Sequence, residues 1–287
     1  MKFTKMQGCG NDYVYVNGFA EKLPAEKKPE IVRQLSDRHF GIGGDGVIFI
    51  NPAREADFEM EMFNADGTRA EMCGNGIRCV AKFVYDKGLT DSERISVVSG
   101  GKVKYLDLTV EGKTGGSRGA VTWVRVNMGS PILQPEQIPV AAEGEQVVNE
   151  PILVEDREYR MTCVSMGNPH AVVFVEDVKN LPIEQIGPHF EKHARFPRRT
   201  NTEFVEVLDR QHVFMRVWER GTGETLACGT GCCATAVACV LNGLTEEKIT
   251  VRLLGGEILV EWDREQNLIF MTGPAVTVFE GEVEINV

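Results

Sequence analysis

The chain has 287 residues, of which 43% are hydrophobic and 25% charged, a balance typical of a folded globular protein with one large domain or two smaller ones. A net charge of −11 and no basic cluster argue against binding to nucleic acid or to an anionic membrane. No apolar run reaches membrane-spanning length, and residues 1–12 turn polar before a signal-peptide core could form. We therefore expect a cytoplasmic protein whose eight cysteines remain thiols.

Short runs of β-branched and aromatic residues bounded by Gly, Pro, Asn or Asp predict a protein dominated by β-strands. In chain order, the predicted strands are residues 13–17, 47–51, 58–63, 121–127, 171–175, 204–208, 214–219, 250–254, 258–262 and 268–272.

Three helices are predicted, at residues 28–38, 76–87 and 231–241. In the second, Ile77, Val80, Ala81 and Val84 recur at helical spacing and Gly88 follows as a stop. The third is apolar on almost every side, which predicts burial all round, as inside a curved sheet. Cysteines in this helix and elsewhere in apolar context are expected to be core residues; they are Cys9, Cys79, Cys163, Cys232, Cys233 and Cys239.

Two near-copies of one motif lie in opposite halves of the chain. The first is Asn64-Ala-Asp-Gly-Thr-Arg-Ala-Glu-Met-Cys73-Gly-Asn-Gly, and the second is Glu219-Arg-Gly-Thr-Gly-Glu-Thr-Leu-Ala-Cys228-Gly-Thr-Gly. Each opens on a polar residue nine positions before the cysteine (73 − 64 and 228 − 219). A helix follows each motif, so both cysteines are predicted to lie at helix N-termini.

A helix N-terminus suits both functions that such a cysteine would have. Its unpaired N–H groups offer a site for a carboxylate, and the helix dipole lowers the pKa of a thiol there. A single Cys-Gly-x-Gly is better explained as a buried cysteine, but the second copy favours chemistry. Two thiols facing one substrate would supply the two acid/base groups that inversion of a carbon centre requires.

The two halves align along most of their length, which indicates duplicated domains. The cysteines are offset by 155 residues (228 − 73), and the Gly-Asn turns at Asn11 and Asn168 by 157 (168 − 11). The glycine-rich stretch 111–119 is predicted to separate the halves.

Neither a metal nor a cofactor is expected. Cys228 and Cys232 lack a partner pair at zinc-binding spacing, and no lysine near either motif would suit pyridoxal phosphate. The sequence from Gly41 to Gly46 matches the dinucleotide fingerprint G-x-G-x-x-G, but a helix precedes it and a strand follows, so we interpret it as a turn.

The ordered motifs closely resemble the diaminopimelate epimerase family from about residue 3 to the C-terminus. The motifs that carry the resemblance are Gly-Asn11-Asp, Asn64-Ala-Asp-Gly, Met-Cys73-Gly-Asn-Gly-Ile-Arg-Cys, Gly-Asn168-Pro-His170, Thr-Asn201 and Glu219-Arg220-Gly-x-Gly-Glu-Thr-x-Ala-Cys228-Gly-Thr-Gly.

The resemblance implies an α/β fold of the α+β type, with two pseudo-symmetric domains. Each would be a curled, mostly antiparallel sheet around a central helix, with the active site in the cleft between the domains. The expected domains are residues 1–118 with 276–287, which hold Cys73, and residues 119–275, which hold Cys228. It further implies cofactor-independent interconversion of LL- and meso-diaminopimelate in lysine and peptidoglycan precursor synthesis, by a homodimer.

Site residues carried over by the resemblance fall into three groups. Cys73 and Cys228 would be the acid/base pair. His170 and Glu219 would tune the thiol pKa values. The residues expected to bind substrate are Gly74, Asn75, Gly229 and Thr230 at the reacting carboxylate, Asn64, Asn168, Asn201, Glu219 and Arg220 at the distal head, and Asn11. One departure is Gly46, where some members of the family carry a substrate-contacting glutamine.

Two alternatives stay open at this point. A proline-type racemase of the same fold would not need the distal set of Asn64, Asn168, Asn201 and Arg220. A non-catalytic amino-acid binder or thiol redox sensor would not need both cysteines as acid/base groups, and a binder would tolerate Cys73→Ser.

Overall fold

The structure, a computed structural model, describes residues 1–70, 73–114 and 116–285. The chain packs into two compact units: Met1–Val126 with Gly273–Val287, and Asn127–Thr272. These divisions fall inside strands, away from the predicted boundaries at 118/119 and 275/276. The division into folding domains stays a prediction.

The first unit contains a mixed sheet and two α-helices. Its elements are β1 (Lys2–Gly8), β2 (Asn11–Asn17), α1 (Lys28–Ser36), β3 (Gly46–Pro52), β4 (Phe58–Asn64), β5 (Arg69–Ala70), α2 (Gly74–Asp86), β6 (Arg94–Ser99), β7 (Lys102–Glu111), β8 (Ala120–Gly129) and, near the C-terminus, β18 (Val276–Glu282).

The second unit repeats this succession, except that its additional strand comes at the start of the unit instead of near the C-terminus. Its elements are β9 (Glu150–Val154), β10 (Arg157–Ser165), β11 (Pro169–Phe174), α3 (Ile183–Glu191), β12 (Asn201–Val207), β13 (His212–Glu219), β14 (Gly223–Thr225), α4 (Gly229–Leu241), β15 (Lys248–Leu253), β16 (Gly256–Asp263) and β17 (Leu268–Pro274).

Strand pairing repeats from one unit to the other. In the first unit the order is β18-β1-β2-β3-β4-β6-β7-β8, and only the pairs β2–β3 and β4–β6 are parallel. In the second unit the order is β9-β10-β11-β12-β13-β15-β16-β17, with β11–β12 and β13–β15 parallel. Each parallel pair is joined through a helix, as a parallel crossover requires. The internal duplication expected from the motifs is therefore present in the topology.

One helix in each unit is enclosed by its sheet. Helix α2 packs against β1, β2, β7 and β18, and α4 packs against β10, β11, β12, β15 and β16. Because strands from distant positions in each sheet reach the same helix, each sheet curls around it. Cys232, Cys233 and Cys239 of α4 are fully buried, as expected for small core residues.

The sequence predicted part of the strand and helix content. Each of the ten predicted strands overlaps an observed one, and the three predicted helices are present as α1, α2 and α4. Helix α3 was missed, because Gly187 and Pro188 lie inside it and break the sequence pattern of a helix. Strands β1, β6, β7, β9, β10 and β18 and the two short strands β5 and β14 were also missed.

No helix among the described residues is long and apolar enough to cross a membrane.

Substitution Gly187→Ala is expected to destabilise the second unit despite the higher helix propensity of alanine. A Cβ at Gly187 would lie 2.4 Å from Trp218 Cδ2, well inside van der Waals contact. We expect a loss of about 1–3 kcal/mol in the free energy of unfolding, measured by urea titration. Gln185→Ala, on the exposed side of the same helix, is the control. Equal stability of both variants would contradict the packing described here.

Candidate active site

Cys73 occupies the N-cap of helix α2. Its backbone is extended (φ −134°, ψ 114°), and its Sγ accepts a hydrogen bond from the Gly76 N–H at 3.2 Å. A Cβ at Gly76 would lie 2.9 Å from Ile48 Cδ1 and 3.5 Å from this sulfur. The glycine therefore lets the first turn of the helix close tightly around the thiol.

Asn11 links the Cys73 thiol to a group of charged side chains. The thiol donates to Asn11 Oδ1 at 3.1 Å, and Asn11 Nδ2 donates to Asp45 Oδ2 at 2.7 Å. Arg38 in turn contacts Asp45 Oδ1 at 3.0 Å and forms a bidentate pair with Asp12. The carboxylate of Asp45 accepts only, so it orients the amide of Asn11 with its oxygen toward Cys73.

The predicted turn between Gly41 and Gly46 is confirmed, and its two ends have different functions. Asp45 orients Asn11, whereas Gly46 opens β3 opposite Asn64 at the end of β4. A Cβ at Gly46 would lie 2.0 Å from the carbonyl oxygen of Phe63. The structure therefore leaves no room for a side chain at this position.

Strand ends bring Asn11 and Asn64 to one edge of the sheet in the first unit. Asn11 opens β2, which is parallel to β3, and Asn64 ends the antiparallel strand β4. The exposed Asn64 donates from Nδ2 to Thr68 Oγ1 at 3.1 Å within its own turn. Its carboxamide is thereby held at the surface.

The side chain of Arg78 fixes the first turn of its own helix, α2. Its guanidinium is fully buried and donates to Asn75 Oδ1 at 3.0 Å, to Gly74 O at 3.2 Å and to Pro274 O at 3.1 Å. The predicted binding residues Gly74 and Asn75 are therefore in contact with a buried cation. Sequence reasoning missed Arg78, although a charged residue between Ile77 and Cys79 on an apolar helix was a usable signal.

Cys228 occupies the matching N-cap of helix α4, in a different electrostatic setting. Its backbone is again extended (φ −125°, ψ 109°), its side chain is buried, and Sγ lies 3.5 Å from Thr230 Oγ1. Burial, followed by the charges of Glu219 and Glu203, raises the pKa of the Cys228 thiol well above its ordinary value. The electrostatic surroundings therefore favour the protonated thiol at this position.

Glu219 lies beside Cys228 and is half-buried. Burial raises the pKa of its carboxyl, while hydrogen bonds from Thr225 and Cys228 and the charge of His170 oppose that shift. The Thr225 hydroxyl donates to Glu219 Oε1 at 2.5 Å. Glu219 and Cys228 therefore each affect the proton affinity of the other, as a coupled pair.

Side-chain contacts connect His170, in β11, through Asn168 to Thr230 in the first turn of α4. His170 pairs in parallel register with Asn201, and its Nε2 lies 3.1 Å from Asn168 Oδ1. Asn168 Nδ2 donates to Thr230 Oγ1 at 3.3 Å. On the other side of the ring, Nδ1 lies 2.7 Å from Glu203 Oε1, a carboxylate that sequence reasoning missed.

The Asn201 side chain is hydrogen-bonded to the backbone of Arg220. Asn201 Oδ1 accepts from the Arg220 N–H at 2.8 Å, and its Nδ2 donates to Pro169 O at 3.1 Å. The buried carboxylate of Glu191 accepts from the Gly221 N–H at 3.1 Å and so fixes the same turn. The guanidinium of Arg220, anchored by Arg198 O at 3.1 Å, lies at the surface.

The structure thus groups the predicted residues within each unit. Asn11, Cys73 and the first turn of α2 form one cluster, with Asn64 at the same sheet edge. Asn168, His170, Glu219, Cys228 and the first turn of α4 form the other, with Asn201 and Arg220 beside it. Asp45, Arg78, Glu191 and Glu203 are the contacts that sequence reasoning missed.

The remaining cysteines are buried, as predicted. Burial raises the pKa of the Cys79 thiol to about 11 and that of Cys239 to about 12. Burial also raises the pKa values of Cys9 and Cys163, and in Cys9 the neighbouring Arg78 opposes the shift. In the part of the chain that the structure describes, no group of three or more His, Cys, Asp or Glu side chains is arranged to hold a metal ion.

Solved structures share this fold at low sequence identity. A probable proline racemase from Agrobacterium radiobacter matches with a TM-score of 0.70 and 14% identity, over 99% of this chain and 93% of that one. A phenazine biosynthesis protein of the PhzF family from Bacillus anthracis matches with a TM-score of 0.67 and 16% identity, over 99% of both chains. The chain therefore has the same fold as these two proteins.

Sequence relationships are much closer. The profile of the family described as diaminopimelate epimerase matches residues 3–133 and 162–278. The diaminopimelate epimerase of Agathobacter rectalis is 58% identical over 99% of this chain and 100% of its own length. That of Acetivibrio thermocellus is 54% identical over 100% of this chain and 99% of its own length. The chain belongs to the diaminopimelate epimerase family.

Iodoacetamide should alkylate Cys73 before any other cysteine of the native protein. Cys73 is partly exposed at a helix N-terminus, whereas the core thiols are buried and have raised pKa values. At pH 8 we expect Cys79 and Cys239 to react at least about tenfold more slowly than Cys73, as measured by peptide mass spectrometry. Uniform labelling of all three in folded protein would contradict this assignment.

Gly46→Ala is expected to lower the free energy of unfolding by about 1–3 kcal/mol, because its Cβ would collide with the Phe63 carbonyl. Gly101→Ala provides the control. Gly101 has a positive φ of 72° but nothing within 4 Å of an added Cβ, so it reports only the conformational cost. If Gly46→Ala were no more destabilising than the control in urea titration, the result would contradict the close contact between Gly46 and the Phe63 carbonyl.

Proposed function

We propose that this chain interconverts LL- and meso-2,6-diaminopimelate without a cofactor, by a two-base mechanism that uses Cys73 and Cys228. Membership of the diaminopimelate epimerase family is the observation that carries the proposal. The duplicated N-cap geometry supports it, because each unit presents a thiol at the start of an enclosed helix.

In the proposed reaction, one cysteine acts as thiolate and the other as thiol. The thiolate removes the α-proton, so the C–H bond breaks, an S–H bond forms, and the electron pair remains on the α-carbon and its carboxylate. The second thiol then gives its proton to the opposite face of the carbon and becomes the thiolate. The proposal requires both thiols to reach opposite faces of one α-carbon, and the roles reverse with direction.

Stabilisation of the carbanion would come from backbone donors. An α-proton next to a carboxylate is weakly acidic, so the developing charge needs strong hydrogen bonds. The first-turn N–H groups at Gly74 and Asn75, and at Gly229 and Thr230, would donate to the reacting carboxylate. Arg78 supports this role in the first unit, because it holds the Gly74 carbonyl and the Asn75 amide in place.

The non-reacting amino-acid head would be bound by polar groups at the strand ends. The exposed Arg220 guanidinium suits a bidentate contact to the distal carboxylate. Glu219 would accept from the distal ammonium. Asn64, Asn168 and Asn201 would complete this set; Asn201 retains a second Nδ2 hydrogen beyond its bond to Pro169.

Three further residues would act close to the thiols. Asn11 would contact substrate from its position beside Cys73. His170 and Glu219 would tune the acid/base state of the pair, and the charge of Glu219 already raises the pKa of Cys228.

We further propose that the enzyme acts in the cytoplasm as a homodimer and supplies lysine and peptidoglycan precursors. All eight cysteines have thiol groups and none forms a disulfide, which suits a reducing compartment.

The decisive experiment is incubation of the reduced protein with LL-diaminopimelate in D2O, without added cofactor. Chiral separation and mass spectrometry should find the meso isomer with deuterium at the inverted α-carbon, because the second thiol exchanges with solvent. Cys73→Ser and Cys228→Ser should each lower kcat at least about 100-fold, since each removes one acid/base group.

Cys239→Ala, a buried cysteine of the same helix as the Cys228 N-cap, should retain activity and serves as the matched control. Circular dichroism must show that both serine variants are folded. No exchange by wild-type protein with reduced thiols, or full activity in a folded serine variant, would overturn the proposal.

A further inference from the structure

Glu203 is a carboxylate in the interior of the second unit. It lies in β12, between Val172 of β11 and Val217 of β13, and its side chain is fully buried. A Cβ at Gly231 would lie 2.7 Å from Glu203 Oε1. The carboxylate therefore lies directly against the first turn of α4, at the helix end where a negative charge is favoured.

The two oxygens of Glu203 have different surroundings. Oε1 lies 2.7 Å from His170 Nδ1, and both side chains are fully buried. Oε2 is buried without a hydrogen-bond partner among the described residues. Burial of a carboxylate with one oxygen unsatisfied costs free energy, and a core position needs only an apolar side chain for packing.

Contact with Glu203 determines how the His170 ring is placed. An ionised carboxylate only accepts hydrogen bonds, so the proton of this bond belongs to Nδ1 of the ring. On the other side of the ring, Nε2 lies 3.1 Å from Asn168 Oδ1; an amide oxygen also only accepts, so Nε2 carries a second proton and donates it to this bond. Asn168 Nδ2 then donates to Thr230 Oγ1, which lies 3.5 Å from Cys228 Sγ.

We infer that Glu203 is a positioning residue for Cys228: it fixes the His170 ring with a proton on Nδ1, and through His170 it holds Asn168 and Thr230 against the thiol. This inference deepens the proposed function and rests on it for the role of Cys228. Glu203 touches no reacting atom in this scheme.

The electrostatic surroundings of Cys228 agree with this geometry. After burial, the charges of Glu219 and Glu203 are the next largest causes of the raised thiol pKa. His170 is the neighbouring group that carries positive charge when protonated, and it is turned toward Glu203 and Asn168. Glu203 thus also helps to keep Cys228 protonated, the state of a proton donor.

The test compares Glu203→Gln with Glu206→Gln. Both residues lie in β12; Glu206 accepts from the Val178 N–H at 3.1 Å, and glutamine retains an oxygen for that bond. Glu203→Gln removes the charge and leaves only a weaker, neutral acceptor for His170. With LL-diaminopimelate we expect its kcat to fall at least about tenfold and its KM to rise, because Asn168, proposed to bind the distal head, is no longer held by His170. The control should match wild type in both constants.

Two further readouts separate positioning from packing. In a Cys73→Ser background, the pH midpoint for alkylation of Cys228 should move down in Glu203→Gln and stay unchanged in Glu206→Gln, because one charge that raises the thiol pKa is gone. In long-range proton–nitrogen spectra of protein with labelled histidine, assigned by His170→Gln, His170 should show a protonated Nδ1. That signal should shift in Glu203→Gln and remain in Glu206→Gln.

A folded Glu203→Gln variant with unchanged Cys228 midpoint and unchanged His170 signal would overturn the inference. If the variant did not fold, the wild-type spectrum would still decide, since a His170 ring without a proton on Nδ1 refutes the scheme. Neither readout requires turnover. Shifted signals with no α-proton exchange by wild-type protein would support the role of Glu203 and overturn only the proposed substrate.

Discussion

The start of an enclosed helix is the constraint on which the rest of each unit depends. The first N–H groups of α2 and α4 have no partner within their helices, and buried donors must be satisfied. In α2 the Cys73 sulfur accepts one of them, and Arg78 fixes the carbonyl and amide groups of the same turn. Glycine at Gly76 and Gly231 lets the backbone of each turn pass close to its thiol.

The two half-sites share this geometry but differ in charge. The first turn of α2 contacts a buried guanidinium, that of Arg78 in the same helix. The first turn of α4 contacts a buried carboxylate, that of Glu203, which is paired with His170. Cys73 is partly exposed beside an amide oxygen, and Cys228 is buried beside two carboxylates. Duplication therefore preserved the backbone arrangement, while the side chains beneath each thiol diverged.

Much of the candidate site could be predicted from the sequence, because its residues are contiguous with recognisable motifs. Cys73, Cys228 and their first-turn neighbours follow from Cys-Gly-x-Gly, and Asn168 and His170 from Gly-Asn-Pro-His. Asp45, Glu191 and Glu203 could not be found in this way. Each acts on a residue far along the chain, and a lone carboxylate in a turn, strand or helix looks like a solvated surface group.

The sequence by itself determined part of the local structure of this protein: ten of its strands, three of its α-helices, the two cysteines at helix N-termini and the repeat with an offset of about 155 residues. These depend on periodicity, glycine and capping patterns within a few residues. Tertiary structure alone decided the strand order, the enclosure of α2 and α4, and which charged side chains lie near each thiol. Those features depend on contacts between distant segments, such as Glu203 with His170 or Arg78 with Pro274, that no local pattern records.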